Sequence, residues 1–216
     1  MAIRTGIVVA AASEDRRQGV FLELGCVSEV VQRKPPFIAL ARETAQKLLA
    51  LRPQLDVDDA CRQLGRKLGE TIRLRRCQHV SPSPHESLAA AHGDGIAALV
   101  GGTGADVELL DLAARAVVER RTHRGWRDEF AAVPPHLDWM AATILLAARH
   151  DDALAVLLPR DDAGLIAIDG DALLRLQRDF HQRLTLTRCA IYDLSEDDRD
   201  SEPLDHSDAI NLRRTG

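Results

Sequence analysis

Aromatic residues are scarce in this chain: four Phe, two Trp and one Tyr make up 3% of 216 residues. The core must therefore be assembled from Leu, Val, Ile and Ala, and the stacking platforms that read single-stranded nucleic acid have few side chains to draw on. Long apolar runs are missing too. No stretch approaches the ~20 consecutive apolar residues of a membrane-spanning helix, and Met1–Ala12 lacks the basic flank, long apolar centre and cleavage site of a secretory signal. The expectation is a cytoplasmic chain that does not enter a membrane.

Signature motifs are equally thin. The four cysteines, Cys26, Cys61, Cys77 and Cys189, form no CxxC pair, which argues against a zinc knuckle or a thioredoxin-type dithiol and predicts reduced structural thiols. Cys77 lies beside Arg75, Arg76 and His79, the one setting whose charge would lower a thiol pKa. No GxSxG elbow, HExxH helix, GxGxxG turn or GxxxxGK[ST] loop occurs. No internal repeat or heptad seam is visible.

What is present is ordinary globular material, 45% hydrophobic and 28% charged. The net charge of −5 hides an asymmetry: residues 1–80 carry 14 Lys and Arg against 9 Asp and Glu, and the remainder reverses the balance. A basic front and an acidic back point to an anionic partner surface or to self-complementary assembly.

Along the chain, Ile3–Ala12 reads as a strand and Gly19–Val31 as a longer one, stopped by Pro35 and Pro36 before a helix over Phe37–Leu51. Asp56 caps a helix expected over Val57–Arg76. Glu86–Val100, rich in Ala, is predicted helical despite Gly93 and Gly95. The run Gly101–Gly102–Thr103–Gly104 then serves as a turn, or presents backbone N–H groups to a phosphate ahead of the helix Ala105–Arg121. A further helix over His136–Arg149 is apolar nearly all round, which predicts central burial. Ala153–Leu158 and Leu165–Ile168 suggest a hairpin around Pro159–Gly164, followed by a helix through about Leu184 and a last strand at Thr187–Leu194. The fold class expected is α+β: one mostly antiparallel sheet formed from N-terminal and C-terminal strands, covered by a helical middle region. Residues 1–194 form a single domain in this reading, and 195–216 an acidic flexible C-terminal tail with too little apolar surface to order alone.

Four arginines, Arg62, Arg66, Arg73 and Arg76, align on one face of the helix expected at Val57–Arg76, a stripe roughly 20 Å long at 1.5 Å per residue. Guanidinium groups suit bidentate contact with carboxylates or phosphates, although a charged helix face is also what solvation alone selects. Trp126, between Arg124 and Arg127, offers a rigid aromatic anchor for an interface, and a place in the core serves it equally. His85, His92 and Asp94 would share one helix face and could hold a divalent metal; surface and capping roles suit the same residues. Asp151, Asp152, Asp161, Asp162, Asp169 and Asp171 surround the expected hairpin, as hard-cation ligands or as ordinary turn and cap residues.

These observations favour a non-catalytic interaction or assembly subunit that docks a protein partner or further copies of itself through the basic helix face, with no cofactor. A metal-assisted hydrolase built on His85, His92 and Asp94 is a second reading, and nucleic-acid binding through the arginines a third.

Overall fold

A computed structural model describes residues 5–51, 57–93, 95–104, 106–122, 139–157 and 170–194. Strands β1 (Thr5–Ala12), β2 (Gly19–Cys26) and β3 (Arg73–Val80) form one antiparallel sheet in that order. Strands β4 (Ser87–Gly93), β5 (Ile96–Gly104) and β6 (Leu184–Asp193) form a second. Helices α1 (Glu29–Gln32), α2 (Pro35–Leu51) and α3 (Val57–Leu68) lie between β2 and β3; α4 (Val107–Thr122), α5 (Trp139–Ala148), α6 (Asp152–Ala155) and α7 (Gly170–Arg183) lie between β5 and β6. The α+β class holds. The strands sort into two sheets instead of one, because each third strand returns to pair with the second strand of its own hairpin.

The two halves thus share a topology that no sequence repeat announces. Each is a hairpin, a helical excursion, and a strand that closes antiparallel on the hairpin, with a register shift at Glu23/Leu24 in the first and Gly101/Gly102 in the second.

Three apolar clusters define the layers. Leu22, Leu24, Phe37, Ala41, Leu48 and Cys61 bury one face of the first sheet under α2 and α3. Val100, Leu109, Ile144, Leu145 and Phe180 bury one face of the second under α4, α5 and α7. Val8, Ala10, Phe21, Ala97, Leu99 and Tyr192 join the two remaining sheet faces. With both faces covered, every residue of the central strand β2 is buried, and so is β5 as far as Gly102.

This layering explains where the sequence misleads. Glu86–Val100 is a hairpin, not a helix: its alanines alternate, Ala97 facing the other sheet while Ala98 and Val100 face α4, and their small side chains let layers approach. The helix expected through Arg76 stops at Leu68, because Gly69 takes a left-handed φ of 70° and the chain leaves as β3. The second strand ends at Cys26, and Ser28 caps α1 by accepting from Val31 N. Gly101 and Gly102 belong to β5; a Cβ on Gly101 would lie 2.6 Å from Arg188 Cγ. Residues Asp152–Ala155 form a helical turn where the first arm of a hairpin was expected. The second arm, Trp126, Asp94 and residues 195–216 lie outside the described residues.

Ion pairs tie the layers across long sequence distances. Arg16, at φ 59° in the β1–β2 turn, donates to both carboxylate oxygens of Asp111 on α4 at 2.7 Å each. Arg17 donates to the carbonyls of Glu86 and Pro84 at 2.5 and 2.7 Å. Arg183 joins Asp106 and Asp151, the carboxylates that cap α4 and α6.

Between the sheets, Glu23 is fully buried, with Arg76 Nε 2.6 Å from Oε2 and Arg75 Nη1 2.9 Å from Oε1. The Arg75 contact is ionic, without hydrogen-bond alignment. The Arg76 guanidinium lies 5.1 Å over the Tyr192 ring, which stacks on Phe21 at 4.3 Å and donates its hydroxyl to Gln78 at 2.5 Å. Replacing Glu23 by Ala leaves two cations without their carboxylate. Because both arginines are about a third exposed and can turn to water, the expected loss is about 2–4 kcal/mol, at or below the usual cost of breaking a buried pair. A urea titration checks it, and a change under about 0.5 kcal/mol would show that the carboxylate is not needed.

Candidate protein-docking face

The arginines expected on one helix divide between a helix and a strand, yet three of the four meet again. Helix α3 starts with Asp58 and Asp59 and ends with Arg66 and Lys67, a charge order that complements its dipole. After the Gly69 turn, β3 begins at Arg73 as an edge strand. The helix, the turn and the strand enclose a groove of about 1260 Å³ whose lining includes Arg62, Arg66 and Arg73 together with Asp58 and Glu70, with Cys61, Ile72 and Leu74 beneath them. Arg76 is turned to the opposite face by the irregularity that pairs Leu74 with Leu24 and Arg76 with Glu23, leaving Arg75 as the extra residue. It belongs to the layer contact and not to the groove.

Arg66 and Arg73 are exposed and have no ion-pair partner among the described residues. Arg62 lies 3.6 Å from Asp59, both well exposed, a pair worth little in water. The groove therefore presents guanidinium groups ready for carboxylates.

Glu70 fixes the adjoining shoulder. Its carboxylate accepts from Val27 N, from Ser28 N at 2.5 Å and from Ser28 Oγ at 2.8 Å, which anchors the start of α1 to the α3–β3 turn. Burial opposes the charged form, but these hydrogen bonds and the nearby Lys34 outweigh it and hold the carboxyl below its ordinary value. On the helix so held, Val31 enters the core and Val30 stands 70% exposed. Val27, three residues earlier, lines the groove. Val30 is thus an exposed apolar side chain on a turn anchored next to the groove lining at Val27.

The other sequence candidates resolve differently. His85 precedes β4 and His92 lies within it, so their spacing runs along an extended chain and not around one helix face; Asp94 lies outside the described residues. His92 is partly buried, with Nδ1 3.3 Å from the Ala10 carbonyl, and burial together with Arg42 lowers its pKa, which keeps the ring neutral. No group of three His, Cys, Asp or Glu among the described residues could hold a metal. Asp151 caps α6 and pairs with Arg183, while Asp161, Asp162 and Asp169 lie outside the described residues. The turn expected at Gly101–Gly104, with a phosphate cradle as its alternative, is the end of a strand, and the start of α4 already receives the Asp106 carboxylate. Burial raises the Cys77 thiol instead of activating it, and pushes Cys26 and Cys61 up to about 11. No helix among the described residues is long and apolar enough to cross a membrane.

Sequence reasoning missed Glu23, Glu70 and Val30. Ser28 followed by Glu29 carried a capping signal for α1, whereas the partners of Glu23 and Glu70 are 42 to 53 residues away in sequence and leave no local trace.

No family model matches the chain. Curated proteins named elongation factor Ts are similar to part of it. The protein of Acidithiobacillus ferrooxidans is 37% identical over 103 residues, 44% of this chain and 35% of the relative. The protein of Yersinia pestis is 34% identical over 112 residues, covering 49% and 38%, and that of Methylococcus capsulatus 29% identical over 117, covering 48% and 40%. The chain spans between a third and two fifths of the length of these relatives.

Glu70→Ala removes the anchor of α1. The amides of Val27, Ser28 and Val31 are expected to lose hydrogen-exchange protection at neutral pH, with a stability loss of about 1–2 kcal/mol after discounting for solvent access. Because the folded-state value is depressed, this contribution is present above the ordinary glutamate range and lost as pH falls through the folded value. The wild type and variant should therefore converge in acid, and equal protection at neutral pH would show that Glu70 does not hold α1.

Proposed function

We propose that this chain is a non-catalytic docking module of translation elongation, and that it binds elongation factor Tu through the face built by α1, α3 and the start of β3. The observation that carries the reading is the groove lined by Arg62, Arg66 and Arg73 beside the rigidly held, exposed Val30. The partial likeness to proteins named elongation factor Ts supports translation as the setting and a protein as the partner. The layered body through Leu194 acts as the docking unit, and no step of the reading requires a metal or cofactor.

Each part of the face has a distinct physical task. The arginines form a charged rim that steers an acidic partner surface and accelerates encounter. Val30 supplies an apolar contact that dehydrates on binding, and Glu70 keeps it in place so that little ordering cost falls on association.

The test is binding of the purified full chain to purified elongation factor Tu by isothermal titration calorimetry. Arg66→Glu with Arg73→Glu is expected to weaken affinity at least tenfold, about 1.4 kcal/mol or more, and to flatten its salt dependence. Val30→Asp is expected to weaken affinity comparably while leaving the salt dependence intact. Both variants should keep the wild-type thermal midpoint, since all three side chains are exposed. Wild-type affinity in both variants would place docking elsewhere, and no binding by the wild type would overturn the partner.

A further inference from the structure

We propose that the acidic segment Glu196–Asp208 of this same chain docks into the α3–β3 groove, so that the chain carries its own competitor for its docking face. The inference rests on the docking reading for its consequence and on separate observations for the contact itself.

The first observation is charge. Between Glu196 and Asp208 there are seven carboxylates and a single arginine. The groove presents Arg66 and Arg73 without ion-pair partners among the described residues and Arg62 with only a solvent-exposed contact to Asp59; Asp58 and Glu70 also line it, and Glu70 is already engaged by Val27 and Ser28, so cations exceed anions there. Arginine forks match carboxylates bidentately, so several acidic positions can satisfy the same three groups.

The second is where the chain leaves the sheet. Tyr192, near the end of β6, donates its hydroxyl to Gln78 and lies under Arg76, so β6 ends within reach of β3. From Gln78 back to Arg73 is five residues of strand, roughly 17 Å at about 3.3 Å each. The 14 residues from Ser195 to Asp208 extend up to ~45 Å, well beyond that distance. A tether this short holds its acidic residues near the groove at an effective concentration of order millimolar, which makes weak rim contacts sufficient.

The third is consistency with the whole-chain charge. The net −5 comes from residues after position 80, and this segment concentrates much of that excess. A cis contact places the acidic excess against the basic surface of the first half.

The experiment uses the full-length chain and a fluorescent peptide of sequence Ser195–Asp208, without any partner. A full-length variant with its seven acidic residues at 196–208 changed to Asn and Gln has an unoccupied groove in this proposal. It is expected to bind the peptide at least fivefold more tightly than the wild type does, with affinity falling as salt rises. Adding Arg66→Glu and Arg73→Glu to the neutralised chain should abolish that binding. Equal peptide binding by the wild type and the neutralised chain, or binding that survives the arginine changes, overturns the proposal. Sedimentation of the wild type decides the source: a monomer at all concentrations supports the cis contact, whereas self-association lost on neutralisation assigns the segment to a second copy and overturns it. With elongation factor Tu, the neutralised chain should bind several-fold more tightly than the wild type. If the peptide result holds but neither chain binds that factor, the docking reading fails and the intramolecular contact stands.

Discussion

Everything else in this fold follows from the contact between the two sheets, closed at one edge by a buried carboxylate. Glu23 has no route to water, and its charge is balanced by Arg75 and Arg76 arriving from the neighbouring strand. For both arginines to reach it, β3 must take an extra residue, and the register shift at Glu23/Leu24 provides it. That shift also decides which way Arg76 points. It brings the guanidinium over Tyr192, which stacks on Phe21, so one irregularity in one ladder couples strands of both sheets. Val8, Ala10, Ala97 and Leu99 pack between the layers, and the Arg76–Tyr192 contact with the Tyr192–Gln78 hydrogen bond ties strands of the two sheets at defined positions.

Covering each sheet on both faces has a consequence for how the sequence reads. A strand with one wet face alternates, while a strand with two dry faces is apolar throughout and loses its period. β2 remained recognisable because Val20 and Phe21 favour strands by shape and polar turn residues precede it. β5 and its partner β4 did not, because alanines line both of their faces, Ala97 towards the other sheet and Ala89, Ala91 and Ala98 towards the helices, and alanine by itself favours helix. The other elements legible in advance were β1, α2, α4, α5, α7 and β6, each a continuous apolar or periodic run bounded by turn or charged residues. The α3 boundary failed for a different reason. Arg73 and Arg76 fall by coincidence on the same side of the helical wheel as Arg62 and Arg66, and the decisive signal was the lone Gly69 beyond the amphipathic stretch.

Topology, more than motif, organises the molecule. Two hairpins each send out helices and recover a third strand, and no similarity of residues accompanies the similarity of path. The halves are joined by arginines at the turn between β1 and β2: Arg16 grips Asp111 and Arg17 grips the carbonyls ahead of β4. The left-handed conformation of Arg16 carries a small strain cost that its fork onto Asp111 offsets.

Which arginines can meet a partner is therefore settled by which ones the fold has already engaged. Arg16 and Arg17 hold a turn, Arg75 and Arg76 hold Glu23, Arg183 holds two helix caps, and Arg188 holds Glu86. Each of these has a carboxylate or a carbonyl within hydrogen-bonding or ion-pair range, and desolvating it further against a partner would weaken the interior. Arg62, Arg66 and Arg73 differ in that they contribute little to the fold and stand in water around one groove. Asp58 and Glu70 in the same lining balance their charge only in part, in a chain that is acidic as a whole. A basic groove on an acidic protein attracts carboxylates selectively, since the surrounding field repels anionic surfaces that do not meet the groove itself. Selectivity of that kind rests on cations outnumbering anions within the groove, and the division of labour among the arginines leaves Arg62, Arg66 and Arg73 there against Asp58 and Glu70.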